Sequence, residues 1–493
     1  MSAQLPACLI EALNGAGITY CHWKSNINLL AALDEGDELD LLVEREDARR
    51  FEGVLAALGF KQATDSLQTP APAILHFYGL DRATDRLVHL HVYYRVITGE
   101  SLLKNYSLPL EAPLLHCTRT VAGIPIPQAH VELVVFVIRA MAKHASTLEY
   151  LLLRGADRSG VTALRAELAA LLAETPAERA AEVLERWLPS VDRALFAQCV
   201  EALRADAPYP RRLRLARRLR GQLKTYQRYS AAAALRLRTS LFARRGLRRL
   251  IGAAKSKRLV SGGLLIAFVG PEATGKSTLV KETADWLGDI FAVRTAHLGK
   301  PPSTWLTFAP NLVLPLVRKA APQQRMSRVQ QGAERDDEGK VSLLYALRAV
   351  LLAWDRRALA AKLRRAAADG TLVVCDRYPS ATVGAMDSAR LKTPGSGGIG
   401  KRLLGYLARL EGQIYRQIPP PDLVIRLTVP VEIAIERNRE RIKKGKEADA
   451  YVLRRHTSGV VPAFPIARTI DLDSNQPRSR TISAARHIVW DAL

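Results

Sequence analysis

Cysteine is scarce and scattered. The five in this chain of 493 residues (Cys8, Cys21, Cys117, Cys199 and Cys375) form neither a C-x-x-C pair nor an even disulfide framework. That excludes a disulfide-stapled secreted scaffold and predicts a reducing, cytoplasmic setting. Long apolar runs are missing as well. The strongly apolar stretches, such as residues 131–138, fall well short of the ~20 residues that cross a bilayer. The opening MSAQLPACLIEALNGAG has no basic region followed by an apolar run, so no secretion signal is expected. What remains is an ordinary globular composition, 48% apolar and 24% charged. Disorder is excluded as the general state, and at about 100–200 residues per domain the length implies roughly two to four domains.

Acidic residues are absent from one long stretch. Of the formal net charge of +24, residues 1–150 carry −5, 151–210 carry −2, 211–258 carry +17 and 259–493 carry +14. The segment 211–258 holds 17 basic side chains and no acidic one. Such concentration points to one basic segment joining two ordinary domains. Within it Leu213, Leu215, Leu219, Leu223 and Tyr226 fall on roughly one helical stripe, with arginines between them. Leu235, Leu237, Leu241, Leu247 and Leu250 continue less regularly. Three readings fit. The segment is a solvated helical linker packing its leucines on a neighbouring domain, or it contacts an anionic lipid surface at ~1 kcal/mol per basic residue. The second reading would place the protein peripherally at the inner face of the membrane. Nucleic acid is the least favoured, because few aromatics are interleaved to stack on bases.

Three regions follow from the pattern. Residues 1–145 mix helix and strand, an α+β arrangement with an early helix, a strand at 39–43, a helix near 47–58 and a strand around 87–96. Residues 146–258 are rich in Ala, Leu and Arg and read as helical; Thr175-Pro176-Ala177-Glu178 and Pro189-Ser190 supply turn and N-cap punctuation. Residues 259–493 alternate strand and helix, the pattern of an α/β domain with a parallel sheet and crossover helices. There is no internal repeat.

The most informative stretch is the apolar run 264–269 followed by Gly270-Pro271-Glu272-Ala273-Thr274-Gly275-Lys276-Ser277-Thr278 and a helix over 279–287. It fits G-x-x-x-x-G-K-[ST] in its proper strand-loop-helix context. Glycines let backbone N–H groups turn inward around phosphate oxygens, and the helix N-terminus adds its positive end. Gly270, Glu272, Ala273, Thr274, Gly275, Lys276, Ser277 and Thr278 are therefore the expected ATP-binding set. Lys276 reaches the β- and γ-phosphates, and the Ser277 hydroxyl ligates Mg2+. A second string, Gly395 to Arg402, imitates the spacing but ends in Arg402, which offers no metal-ligand hydroxyl, and no strand precedes it. It reads as a glycine-rich loop near the acceptor.

Three further stretches narrow the chemistry. The β-rich run 371–375 ends in Asp376-Arg377-Tyr378, where a carboxylate can manage Mg2+ or the acceptor. Upstream, Trp354-Asp355-Arg356-Arg357 lies on an expected helix. Downstream, the strand within 421–430 leads to a helix and then to Arg437, Arg439, Arg441, Lys443, Lys444 and Lys446. That cationic run can close over a triphosphate and stabilise charge on the transferred group.

On GPEATGKST, LLAWDRR, VVCDRYPS, PDLVIRLTVPVEIAIERNRER and the closing RTIDLDSN and IVWDAL, residues 262–493 resemble the thymidylate kinase-like branch of the nucleoside-monophosphate kinases, with their P-loop NTPase fold. The resemblance implies that Glu272, an Asp in that family, meets the acceptor's sugar hydroxyl. It implies that Arg356 and Arg377, with Tyr378, handle the acceptor base and phosphate, and that a lid arginine (Arg437, Arg439 or Arg441) assists transfer. The loop has no arginine and the lid has many, as in the branch that supplies the catalytic arginine from the lid. Family members are often dimeric, which implies a homodimer. Three departures stand out: Val269-Gly270 in place of Glu-Gly, a proline-rich irregular stretch over 291–350, and a long loop at Gly395. The acceptor need not be thymidylate.

Residues 18–144 contain His22-Trp23-Lys24-Ser25-Asn26, then Glu38-Leu39-Asp40 entering a strand, then His89-Leu90-His91. This is similar to the nucleotidyltransferase-like superfamily, with a Ser after a helix, a carboxylate pair alternating on a strand and a third carboxylate. Alternating carboxylates point the same way and can hold two Mg2+ ions. Glu38 and Asp40 are the pair, and His89 holds the third position, which weakens metal binding. The competing reading makes His22, His89 and His91 hydrogen-bonded, half-buried histidines.

The leading expectation is an ATP/Mg2+-dependent phosphotransferase with Lys276, Asp376 and the lid arginines as catalytic groups and a nucleoside monophosphate as the small phosphate acceptor. A sugar or sugar phosphate of cell-surface polysaccharide assembly is the rival acceptor. An ATP-gated membrane-surface scaffold with little catalysis is the alternative from another class.

Overall fold

Strands made of alternating or continuous apolar residues organise both halves of the chain. The computed structural model describes residues 3–35, 38–65, 73–99, 103–144, 158–205, 207–250, 256–304, 307–308, 343–383, 385–392, 398–440, 448–457 and 460–493. They fall into two units, Met1–Lys255 and Ser256–Leu493.

In the N-terminal unit, helix α1 (Leu5–Gly15) precedes β1 (Tyr20–His22), α2 (Leu29–Glu35), β2 (Leu39–Val43), α3 (Ala48–Ala57), β3 (Lys61–Asp65), β4 (Ile74–Asp81) and β5 (Arg86–Tyr93). The strands lie in the order β1-β2-β5-β4-β3. Only β2 and β5 pair in parallel; the other neighbours are antiparallel. Leu9, Leu13, Leu41, Val43, Phe51, Leu55, Val88 and Val92 interlock in one core. Two small antiparallel pairs follow, β6 (Val96–Thr98) with β7 (Tyr106–Leu108) and β8 (Thr118–Val121) with β9 (Ile124–Pro127); α4 (Glu111–His116) lies between them in sequence.

Helix α5 (Ala129–His144) then buries Leu133, Val134, Val135, Phe136, Val137 and Ile138 in succession. A helix apolar on all sides must be covered on all sides. Its cover is α6 (Arg158–Glu174), α7 (Ala177–Trp187), α8 (Arg193–Arg204) and α9 (Tyr209–Gln222), followed by α10 (Ala231–Leu250). One core runs from Cys21 and Tyr93 through α5 to Leu215, Leu219 and Leu223. The helices read from sequence as a connecting region thus share the core that holds α5. Capping also differs from expectation: α7 begins behind Pro176 without a side-chain cap, while Asp192 caps α8 by accepting from Leu195 N–H at 2.7 Å.

The C-terminal unit is an α/β domain. After the short β10 (Lys257–Leu259) come β11 (Leu265–Val269), α11 (Lys276–Gly288), β12 (Val293–His297), α12 (Leu343–Ala368), β13 (Leu372–Asp376), α13 (Ile399–Arg416), β14 (Leu423–Thr428), α14 (Val431–Glu440), α15 (Asp449–Thr457), β15 (Arg468–Asp473) and α16 (Arg478–Ala492). Five strands form an all-parallel sheet in the order β12-β13-β11-β14-β15. All five residues of central β11 are buried, as a strand covered by helices on both faces requires. The chain leaves β11 between β13 and β14, so the crevice beyond their carboxyl ends is where an open parallel sheet takes its ligand. Within the stretch expected to be irregular, residues 293–297 form edge strand β12 beside β13. Residues 309–342 lie outside the described ones. Among the described residues, no helix is long and apolar enough to cross a membrane.

Candidate active site

Strand β11 delivers the chain to Gly270, whose φ of 144° and close approach leave no room for a side chain: a Cβ there would stand 2.6 Å from the Leu427 carbonyl oxygen. Ala273 (φ 60°) and Gly275 (φ 91°) are left-handed, which turns successive amides toward one point. Helix α11 starts at Lys276, three residues earlier than the sequence suggests. Gly275 at its N-cap provides no side-chain bond, so the first-turn amides stay available to a phosphate. Within the loop the buried Thr274 Oγ1 donates to the Pro271 carbonyl at 3.0 Å, and Thr278 N–H donates to that of Gly275 at 3.1 Å.

Lys276 folds back on this loop, its Nζ 2.5 Å from the Pro271 carbonyl oxygen. Burial, helped by the nearby Arg377 charge, pushes its ammonium down from 10.5 to about 8. Parallel pairing of β11 with β13 sets Asp376 beside Phe268, and Ser277 Oγ donates to Asp376 Oδ2 at 2.7 Å. Two carboxylate oxygens are left over. Among the described residues, no hydrogen-bond donor reaches Asp376 Oδ1 or the buried Glu272 Oε2. These are the groups a cation, its waters or an acceptor hydroxyl would satisfy.

A cavity of about 360 Å3 opens from this loop. Lys276, Arg377, Arg426 and Arg455 supply positive charge to its wall, Asp387 and His456 further polar groups, and Tyr378, Met386, Val460 and Val461 apolar surface. His456 Nε2 donates to the Glu272 carbonyl at 3.0 Å, tying α15 to the phosphate loop. Arg426 pairs with Asp471 through Nε and, at 2.6 Å, Nη2.

The two arginines expected to meet the acceptor have different surroundings. Arg377, left-handed at φ 65° and half-buried, lines the cavity and pairs with Asp387 Oδ2 at 3.5 Å. Arg356 is 0% exposed. It donates to Asp387 Oδ1 at 2.8 Å, Tyr415 Oη at 2.6 Å, and the carbonyls of Leu298, Gly299 and Asp387 at 3.0, 3.3 and 2.9 Å. It reaches the cavity only through Asp387. Tyr378 presents its ring, since its hydroxyl donates to the Pro419 carbonyl at 2.6 Å and burial raises the phenol well above its ordinary value. On α14, Arg437 donates to the Ser474 carbonyl at 2.9 Å and Arg439 pairs with Asp449 at 2.8 Å; neither lines the cavity. Arg441, Lys443, Lys444, Lys446 and the glycine run at 395–397 lie outside the described residues. Among the described residues, Arg455 on α15 brings a further cation to the cavity wall. Sequence reasoning missed Asp387, Arg426, Arg455 and His456. Only Arg426 carried a signal, as a charged residue between the buried Ile425 and Leu427 of its strand.

In the N-terminal unit the parallel register sets Asp40 opposite His91, so His91, not His89, stands beside the carboxylate pair. Nδ1 of His91 lies 2.8 Å from Glu38 Oε1 and 3.2 Å from Asp40 Oδ1, whereas His89 is 3.7 Å from Glu38. The donor atoms of Glu38, Asp40 and His91 fall within 4.8 Å of one another. Lys24 Nζ sits 2.5 Å from the same Asp40 oxygen and over the Tyr93 ring at 3.9 Å. Burial pushes that lysine down to about 7. Burial would raise Asp40, yet the charges of Lys24 and His91 hold its carboxyl well below the usual range. His22 is buried with Nδ1 2.5 Å from Asn26 Oδ1, as a satisfied core histidine.

No protein-family model matches the chain. A thymidylate kinase from Chromohalobacter salexigens is 31% identical over 191 residues, which are 38% of this chain and 73% of that protein. The chain belongs to the thymidylate kinase family. Beside this kinase relative stands the uncharacterized ATP-binding protein YghR of Escherichia coli (strain K12), 27% identical over 235 residues, 46% of this chain and 86% of that protein. Among solved structures, the thymidylate kinase from Candida albicans aligns with 46% of this chain and 91% of its own at 17% identity and a TM-score of 0.26. For this member of the thymidylate kinase family, the loop residues Gly270 to Thr278, Asp376 and Arg377 cluster at one crevice, while Arg356, Arg437 and Arg439 stand behind it or aside.

Proposed function

We propose that the C-terminal unit transfers the γ-phosphoryl group of ATP to a nucleoside monophosphate. The observation that carries this is the Ser277–Asp376 pair beside Lys276, opening on a cavity walled by Arg377, Arg426 and Arg455. The loop amides and Lys276 hold the β- and γ-phosphates. Ser277 and Asp376 fit Mg2+, since hydroxyl and carboxylate oxygens converge there and Asp376 Oδ1 is unsatisfied. When bound, the ion neutralises charge on the phosphates. Arg377 receives the acceptor's phosphate, and Glu272 Oε2 accepts from an acceptor hydroxyl. An acceptor phosphate oxygen forms the new bond to the γ-phosphorus while the bond to the ADP oxygen breaks. Little covalent work falls to the protein; rate comes from positioning and fixed charge.

Acceptor-dependent ADP release, lost in Lys276→Ala, tests the reading. Release that persists in the variant, or that no nucleoside monophosphate supports, sinks it. Val269-Gly270 in place of Glu-Gly favours testing sugar phosphates as second acceptors.

For the N-terminal unit, the Glu38–Asp40–His91 cluster favours a nucleotidyltransferase-like domain. The fit to a metal is incomplete, because Lys24 holds the Asp40 oxygen a cation would need, and no step is derived through one. Calorimetric titration is expected to show Mn2+ binding once Lys24→Ala frees the Asp40 oxygen, lost again on adding Asp40→Ala; no binding by the Lys24→Ala chain at millimolar Mn2+ removes this reading.

A further inference from the structure

The two basic helices of the N-terminal unit treat their leucines differently. Helix α9 buries Leu215 and Leu219 and exposes Arg211, Arg214, Arg217 and Arg218, as a solvated face does. Helix α10 buries Ala234 and Leu241 but leaves Leu235 61%, Phe242 45%, Leu247 60% and Leu250 86% exposed. At 100° per residue, Leu235, Thr239, Phe242, Gly246 and Leu250 share one face, opposite Ala234 and Leu241. Arg236, exposed, and Arg238, half-buried, stand on the two sides of that apolar stripe, and no acidic residue occurs anywhere in 211–258.

We propose that α10 docks on an anionic phospholipid surface, lying in its plane with Phe242 and its neighbours below the headgroups. Twenty residues span about 30 Å, enough to lie along a membrane, and the helix is too charged to cross one. An apolar stripe rimmed by cations is what the boundary between headgroups and acyl chains takes: the leucines leave water and the arginines meet phosphates. Nucleic acid would satisfy the arginines but give Leu235 and Leu250 nothing to bury against. A second copy of the chain would cover the leucines but set 17 uncompensated cations against 17 more.

The test is cosedimentation of the full chain with phosphatidylcholine vesicles with and without phosphatidylglycerol. Binding is expected only with the anionic lipid, falling as salt rises. Phe242→Ser with Leu250→Ser is expected to weaken it at least tenfold with unchanged circular dichroism, and Arg236→Gln or Arg238→Gln by about fivefold each. Three results overturn the proposal. They are equal binding to neutral vesicles, duplex DNA binding that survives the Phe242/Leu250 double variant while vesicles are ignored, and self-association abolished by that variant without any vesicle binding.

Discussion

Replacing Asp387 with Ala removes the carboxylate that joins a buried arginine to the cavity. Arg356 is wholly enclosed, and among the described residues Asp387 is the anion it pairs with, at 2.8 Å. Breaking a buried pair by deleting one member costs about 3–5 kcal/mol, because the survivor stays charged out of water. Three carbonyls and the Tyr415 hydroxyl still accept from Arg356, which places the loss at the low end, near 3 kcal/mol. The 3.5 Å contact to half-exposed Arg377 adds at most about 1 kcal/mol. Hydrogen exchange under native conditions reads the effect where it arises: amides of β11 and β13 are expected to lose about two decades of protection. Adding Arg356→Met removes the stranded charge and is expected to restore most of the loss, since apolar replacement of a buried pair is often neutral. A single-variant loss below about 1 kcal/mol, or a double variant no better than the single, refutes the reasoning.

Four other outcomes follow from the structure. Lys276 discharges near pH 8 in the free protein, so ATP affinity is expected to be flat below that pH and to fall up to about tenfold per unit above it. Lys276→Arg, always charged, flattens the profile; a parent profile flat to high pH contradicts the cause. The sign for folding is opposite. A lysine depressed from 10.5 to about 8 makes the unfolded chain bind more protons in that window, so stability of the nucleotide-free protein rises with pH across it. Gly270→Ala drives a Cβ to 2.6 Å from the Leu427 carbonyl at φ 144°; about 1–3 kcal/mol of strain is expected in thermal unfolding, with ATP binding lost in calorimetry. Leu133→Ala, in the second turn of α5 and 0% exposed, is expected to cost about 2–5 kcal/mol and to lower amide protection in α7 and α9 as well as in β5; loss confined to α5 contradicts the shared core.

The phosphate loop was legible because its chemistry is local. A buried strand, two glycines that admit positive φ, a lysine and a hydroxyl occur in one run of residues, and Asp376 follows because a neighbouring parallel strand ends level with it. The strand 39–43 was legible from its apolar pattern and appears with those bounds. Other features depend on register or tertiary cover. His89 and His91 point to the same side of one strand, and only the pairing of Asp40 with His91 chooses between them. Asp387, Arg455 and His456 lie in irregular segments or on a helix whose placement no periodicity fixes. Arg356 shows the limit of a motif: its place in the sequence was recognisable, but its burial under Tyr415 and Asp387 was not. The helices after residue 157 read as a linker by composition, yet α5 requires them as cover.

The account turns on whether the loop after β11 grips a nucleoside triphosphate. Titrating the full chain with ATP and Mg2+ by calorimetry measures this directly, with Lys276→Ala as control. One site at micromolar affinity, weakened at least a hundredfold in the variant, is the result expected here. No heat of binding to the parent protein, or equal affinity in both, contradicts it.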